Sequence, residues 1–224
     1  AKGFLIGATS GRTTLNGEGL QHQDGHSHIL SSTIPNCLSY DPTYAYEVAT
    51  IVKDGIKKMY IDQENYFYYI TTINENYTHP EMPKDCEEGI IKGMYVLSDN
   101  ESYDVRLLGS GAILREALKA KDILFKFKIE AQVWSVTSFN LLRKDGMEIE
   151  RYNQLNPSGK QKLTYVEECF SDSNVPVIAA TDYMRSYAEQ IRPYIHSSYT
   201  TLGTDGYGRS CLLYTSDAAD DLLC

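Results

Sequence analysis

The chain has 224 residues, 30 acidic and 21 basic, with a formal net charge of −9. A hydrophobic content of 42% beside 23% charged residues fits a folded globular protein and excludes collagen, coiled coil and disorder. The acidic balance and scattered Lys and Arg argue against a nucleic-acid partner, and no apolar run approaches the roughly 20 residues that cross a bilayer.

In chain order, Gly3 to Thr9 and Cys37 to Tyr40 are apolar runs bounded by turn formers and are predicted strands. Asp41 as N-cap and Pro42 at the first helical position introduce a helix over 42–60, with apolar residues at helical spacing from Ala45 to Met59. Asn65 to Thr72 is a strand by its aromatic and β-branched content, and the polar stretch from Asn74 to Gly89 is a surface loop. Further on, Val105 to Leu108, Val133 to Phe139 and Val175 to Ala180 are predicted strands. Ala112 to Phe125, residues 159–170 and Met184 to Ile195 are predicted helices, with Pro193 ending the last. Strand alternating with helix calls for parallel βαβ units, hence an α/β fold in two domains.

Five Cys without a CxxC pair suit reduced thiols, and "AKGFLIGATSGRTT" at the start lacks the pattern of a signal peptide, so a cytoplasmic location is expected. Eighteen Tyr against six Phe suggest amphipathic rings at an interface.

The densest polar cluster is "LNGEGLQHQDGHSH", Leu15 to His28, where His22, His26 and His28 lie beside Gln21 and Asp24. Gly17, Gly19 and Gly25 break any helix, which makes this a loop after the first strand, where parallel sheets hold ligands. Histidine there could move protons near neutral pH. The same residues could instead hold zinc, through three imidazoles and the Asp24 carboxylate, or be a plain polar surface loop.

Two phosphate-loop patterns fail. "GATSGRTT", Gly7 to Thr14, is one residue short of a P-loop and has Arg12 where Lys is needed. "LLGSGAILREAL" has Leu114 at the third glycine position of a dinucleotide fingerprint, so Gly109 and Gly111 read as a tight strand-to-helix turn. "GTDGYGRS", Gly203 to Ser210, is a Gly-rich loop able to position Asp205 or Arg209.

From "SGRTTLNGEGLQHQDGHSHILSSTIPNC" through "YYITTINENY", "LLGSGAILRE", "VWSVTSF" and "ATDYMRSYAEQIRPYI" to "LGTDGYGRS", residues 1–210 resemble one family closely. It is the homodimeric, thiamine-diphosphate-dependent decarboxylating component of the bacterial pyruvate dehydrogenase complex. The resemblance implies a piece of a longer subunit. Residues 1–95 would be the later part of the middle, pyrimidine-binding domain. Residues 96–210 would be most of a transketolase C-terminal-like domain, and 211–224 a non-native tail resembling a translated sequencing adapter. The family's GDG-type metal motif and catalytic Glu are missing and would lie upstream. By the motif match His22 corresponds to the active-site His, with Gln21, Asp24 and His28 as candidates to orient it. The implied cofactors are thiamine diphosphate and Mg2+. The implied partners are pyruvate, the dihydrolipoamide acetyltransferase component and a second copy of the subunit. The fragment alone is expected to be inactive. A transketolase-like or other 2-oxoacid enzyme, or a non-catalytic dimerisation or docking piece, is the alternative.

Overall fold

A parallel sheet and a mostly parallel one meet at the carboxyl ends of their parallel strands. The computed structural model describes residues 2–7, 11–15, 22–98, 102–170 and 174–207. The first sheet contains β1 (Phe4–Gly7), β2 (Cys37–Tyr40) and β3 (Phe67–Thr71), ordered β1-β3-β2 with all pairs parallel. Between β1 and β2 lies the short helix α1 (Ser27–Ser31), and between β2 and β3 the helix α2 (Ala45–Ile56), prolonged by a π-helical turn over Lys57–Ile61. Leu38, Tyr40, Ile51, Met59, Tyr68 and Ile70 form the core beneath this sheet.

The second sheet contains β4 (Met94–Ser98), β5 (Val105–Gly109), β6 (Ala131–Val136), β7 (Val177–Ala180) and β8 (Tyr199–Leu202), ordered β4-β6-β5-β7-β8. Only β4 runs antiparallel, against β6. It spans the junction expected at residues 95 and 96, follows α3 (Glu87–Lys92), and forms an edge of the larger sheet. The helices of this half are α4 (Ile113–Lys126), α5 (Phe139–Leu155), α6 (Tyr165–Cys169) and α7 (Arg185–Glu189). β5 and β6 are buried throughout, as central strands covered on both faces must be.

The α/β class holds, and the strands at 37–40 and 105–109 and the helix at 113–126 stand where periodicity puts them. The strand expected over Gly3 to Thr9 spans Phe4–Gly7, with residues 8–10 outside the described residues. Phe139 does not end β6 but opens α5, because the Ser138 hydroxyl accepts the Leu141 N–H and caps a helix there. This 17-residue helix escapes the periodicity reading. Its buried face includes Gly146, on which a Cβ would stand 2.1 Å from the Tyr194 ring, so the apolar stripe has a gap where the packing is tightest. The helix expected over 159–170 contracts to α6, and the one over 184–195 divides into α7 and a 3-10 turn at Arg192–Tyr194 containing Pro193. The strand β4 and the edge strand β8 were not anticipated. Nor were the helix α3, which begins in the last residues of the expected loop and runs past it, and the helix α1, which takes Ser27 and His28 out of the expected loop over 15–28.

The capping of α2 also differs from expectation. The Glu47 carboxylate, fully buried, accepts the N–H groups of Thr43 at 2.6 Å and Tyr44 at 2.9 Å. That leaves the Asp41 side chain free of the helix end and turned inward. Tyrosine is likewise used inside the chain: Tyr40, Tyr68, Tyr183 and Tyr187 are among its largest fully buried side chains. Cys37, Cys86 and Cys169 are free thiols, the first two buried. Among the described residues no helix is long and apolar enough to cross a membrane.

Candidate active site at the junction of the sheets

Every strand that contributes polar groups to the junction does so at its carboxyl end. The Asp41 N–H, just past β2, donates to Thr137 O at 2.8 Å, just past β6. Asp41 O accepts the Gly111 N–H at 3.1 Å, and the Ser138 hydroxyl donates to Ser39 O at 2.6 Å. Gly111, at φ +50°, makes the turn from β5 into α4, and a side chain there would strike the Asp41 carboxyl. A Cβ on Gly109 would lie 2.7 Å from Leu114 Cα, so the two glycines serve the tight strand-to-helix turn expected of them.

A chain of hydrogen bonds runs through this junction. The Thr71 hydroxyl donates to Asp41 Oδ1 at 2.7 Å, which leaves its lone pairs for His28 Nε2 at 2.9 Å. The order fixes the tautomer: Nε2–H of His28 donates to Thr71, and Thr71 donates to Asp41. His28 is fully buried, stacked on Tyr187 with centroids 4.9 Å apart and edge-on to Tyr183 at 4.8 Å. Burial lowers its pKa to about 3, partly opposed by the Asp24 charge, so the imidazole stays neutral. Burial pushes the Asp41 carboxyl up to about 7. The Thr71 and Ser110 hydroxyls oppose this, and the charges of Asp182 and Asp24 add to it. Across the junction Ser110 Oγ reaches Thr181 Oγ1 at 3.3 Å.

Of the residues singled out by sequence, the structure gathers Asp24 and His28 and leaves His22 apart. The Asp24 carboxylate accepts the N–H groups of His26 at 2.9 Å and Ser27 at 3.0 Å, and the Ser27 hydroxyl, so its hydrogen bonds start α1. His28 turns into the junction. His22 is exposed, and no hydrogen bond among the described residues joins it to either. Gln21 lies outside the described residues, as do Arg209 and the expected tail over 211–224. Asp205 is exposed and pairs with Arg185 at 2.6 Å. Among the described residues no group of three His, Cys, Asp or Glu is arranged to hold a metal ion.

Sequence reasoning missed Asp41, Thr71, Ser110 and Asp182, each within two residues of the carboxyl end of a parallel strand, a position that would have marked them. It also set Arg12 aside with the failed P-loop. The backbone N–H groups of Arg12 and Thr13 do bind an anion: the Asp182 carboxylate, at 2.6 and 2.8 Å.

A profile of the pyruvate dehydrogenase E1 component middle domain matches residues 1–80, and one of the transketolase-like C-terminal domain matches residues 93–214. The pyruvate dehydrogenase E1 component of Pseudomonas aeruginosa is 60% identical over 215 residues, which cover 94% of this chain and 24% of that protein. That of Escherichia coli K12 is 56% identical over the same shares. The chain thus spans about a quarter of the length of the curated relatives it matches. Among solved structures, a transketolase variant from Pichia stipitis superposes with a TM-score of 0.66 at 16% identity, covering 93% of this chain and 26% of that one. Campylobacter jejuni transketolase gives 0.64 at 15% identity, covering 93% and 28%. At such identities these likenesses concern the fold alone.

Proposed function

Because the chain belongs to the pyruvate dehydrogenase E1 family, through its middle and transketolase-like C-terminal domains, we propose that it forms part of a subunit that oxidatively decarboxylates pyruvate. On this reading the parent is a cytoplasmic homodimer that hands its acetyl group to the lipoyl arm of a dihydrolipoamide acetyltransferase. Residues near 95 divide the two domains, and His22 is the group that moves protons. The supporting observation is 60% identity over 94% of the chain, with the middle-domain match spanning residues 1–80.

The described residues do not fit a magnesium–diphosphate site, since no acidic or imidazole triad is gathered among them. Those ligands belong, on this proposal, to the rest of the parent, and thiamine diphosphate bound there supplies the electron sink for decarboxylation. What this chain contributes is proton management. An exposed imidazole at the carboxyl end of a parallel sheet can give a proton to the pyruvate carbonyl oxygen as that oxygen gains electrons, and later retrieve it. The neutral, buried His28 cannot play that part without leaving its ring stack, and its bond to Thr71 makes it a fixture of the scaffold.

The test is His22→Ala in the full-length subunit with both cofactors present. Pyruvate turnover should fall by about 10²–10⁴, the usual contribution of a general acid or base. An unchanged rate removes His22 from the mechanism.

A further inference from the structure

The stretch carrying His22 belongs to the first sheet, yet its flanks are fastened to the second. Asp182, buried just beyond β7, accepts the Arg12 N–H at 2.6 Å and the Thr13 N–H at 2.8 Å on Oδ2, and the Thr13 hydroxyl at 2.7 Å on Oδ1. Gly11, at φ +80°, admits the carboxylate, for a Cβ there would stand 2.5 Å from Oδ2. These three bonds hold the start of the 3-10 turn Thr13–Leu15. The carbonyl of Leu15 at its end accepts Gln23 Nε2 at 3.4 Å, and Gln23, buried, is the neighbour of His22.

A second fastening lies three residues beyond His22. The Arg12 guanidinium, buried, donates to Gly206 O at 2.7 Å and Thr204 O at 3.5 Å, both just past β8. It crosses Gly25 so closely that a Cβ would be 1.8 Å from Nη2. Gly25 O in turn accepts the Met184 N–H at 3.0 Å. Gln23 and Gly25, the first and third residues after His22, are therefore both tied to loops 181–184 and 203–206 of the other domain, the first by way of Leu15 and its turn, the second by Arg12 and Met184.

We propose that Asp182 and Arg12 are positioning residues for proton transfer, setting the backbone that follows His22 from the second sheet, through the Leu15–Gln23 bond at the adjacent residue and through Gly25 two residues further on. This rests on the reading of His22 as the proton-transfer residue. Neither group touches substrate. They act by removing the freedom of an exposed imidazole, and a displacement near 1 Å in such a group costs up to about 10²-fold in rate.

The experiment uses the full-length subunit with pyruvate, thiamine diphosphate and Mg2+. Asp182→Ala and Arg12→Ala should each lower kcat about 10- to 100-fold while leaving KM for pyruvate within about twofold. Asp182→Asn should recover most of the rate, because its carbonyl oxygen can take both N–H groups while its amide faces the Thr13 hydroxyl. Gly25→Ala, at a backbone outside the left-handed region, should evict the guanidinium and match Arg12→Ala, the double variant losing no more than either. In the His22→Ala background Asp182→Ala should cost less than about twofold, since a residue acting through His22 has nothing left to position. Hydrogen exchange should quicken across residues 22–26 in Gly25→Ala and stay unchanged in β3. If Asp182→Ala does not fold, Gly25→Ala and the exchange measurement decide. Wild-type kcat in Gly25→Ala, or a full loss persisting in the His22→Ala background, overturns the proposal. An active His22→Ala enzyme would refute instead the reading beneath it.

Discussion

Replacing Asp41 with Asn should make the protein more stable in neutral and alkaline solution and leave it unchanged in acid. The Asp41 carboxyl rises from 3.8 to about 7 on folding, chiefly because the junction strips it of water. A raised carboxyl pKa means that the folded state favours the protonated form. The stability it permits is fully present below pH 3.8 and is lost as pH rises through about 7. The displacement corresponds to a ceiling of about 4 kcal/mol. Asparagine has the shape of the protonated acid and no charge to lose. Its carbonyl oxygen can still accept the Thr71 hydroxyl, which stands 2.7 Å from Oδ1, while its amide faces Ser110. Allowing for relaxation and water entry around the native carboxylate, about 2 kcal/mol should separate the variants at pH 8, shrinking to near zero at pH 4. Urea unfolding of both proteins at half-unit steps between those limits measures this, with the difference isolating Asp41 from every other titrating group. A constant difference across the range, or an Asn variant less stable at pH 8, refutes the reasoning.

Glu47 offers the contrast of a buried carboxylate with all its donors in place. Its Oε2 accepts the Thr43 and Tyr44 N–H groups and its Oε1 the Tyr95 and Ser135 hydroxyls. Glu47→Ala strands two buried backbone donors and should cost about 2–5 kcal/mol in urea unfolding. Glu47→Gln keeps the backbone pair on its oxygen and turns its amide to two hydroxyls able to accept, for a cost within about 1 kcal/mol. The isolated 224-residue chain, lacking a gathered metal site among its described residues, should neither decarboxylate pyruvate nor bind thiamine diphosphate with Mg2+ in calorimetry. Micromolar binding would contradict the assignment of those ligands to the rest of the subunit.

What the sequence yielded followed from how local the physics was. β2, β5 and α4 are bounded by their own residues, Tyr40 before Asp41-Pro42 and Gly109-Ser110-Gly111 before Ile113, and their positions were legible. α5 was not, because its stripe is interrupted at Gly146 to admit a tyrosine 48 positions later in the sequence. β4 and β8 are edge strands whose definition comes from pairing with β6 and β7. In the candidate site, the density of histidine singled out one loop, but residue types alone could not separate a buried, neutral His28 from an exposed His22. That distinction depends on Tyr187, which stacks on His28, and Tyr183, which meets it edge-on, both from the far half of the chain. Asp41 was read as a helix cap because its context is that of one. Glu47 takes the cap, and the turn at Gly111 brings the second sheet over the carboxyl that remains.

The separation along the chain of the groups that fasten the two sheets has a consequence for the order of folding. Arg12 is 170 residues from Asp182 and 194 from Gly206. At synthesis rates of about 5–20 residues per second, roughly 10–30 s pass between the appearance of Arg12 and that of its first partner. The smaller sheet can pair β1, β2 and β3 in that interval, but its carboxyl ends must wait in water. Asp41 waits there as a carboxylate, the form that water favours. When the second sheet arrives and covers it, the carboxyl takes up a proton in part near neutral pH, because burial raises its pKa to about 7. The last step of assembly is therefore a protonation as well as a docking, and its rate should slow as the medium becomes more alkaline.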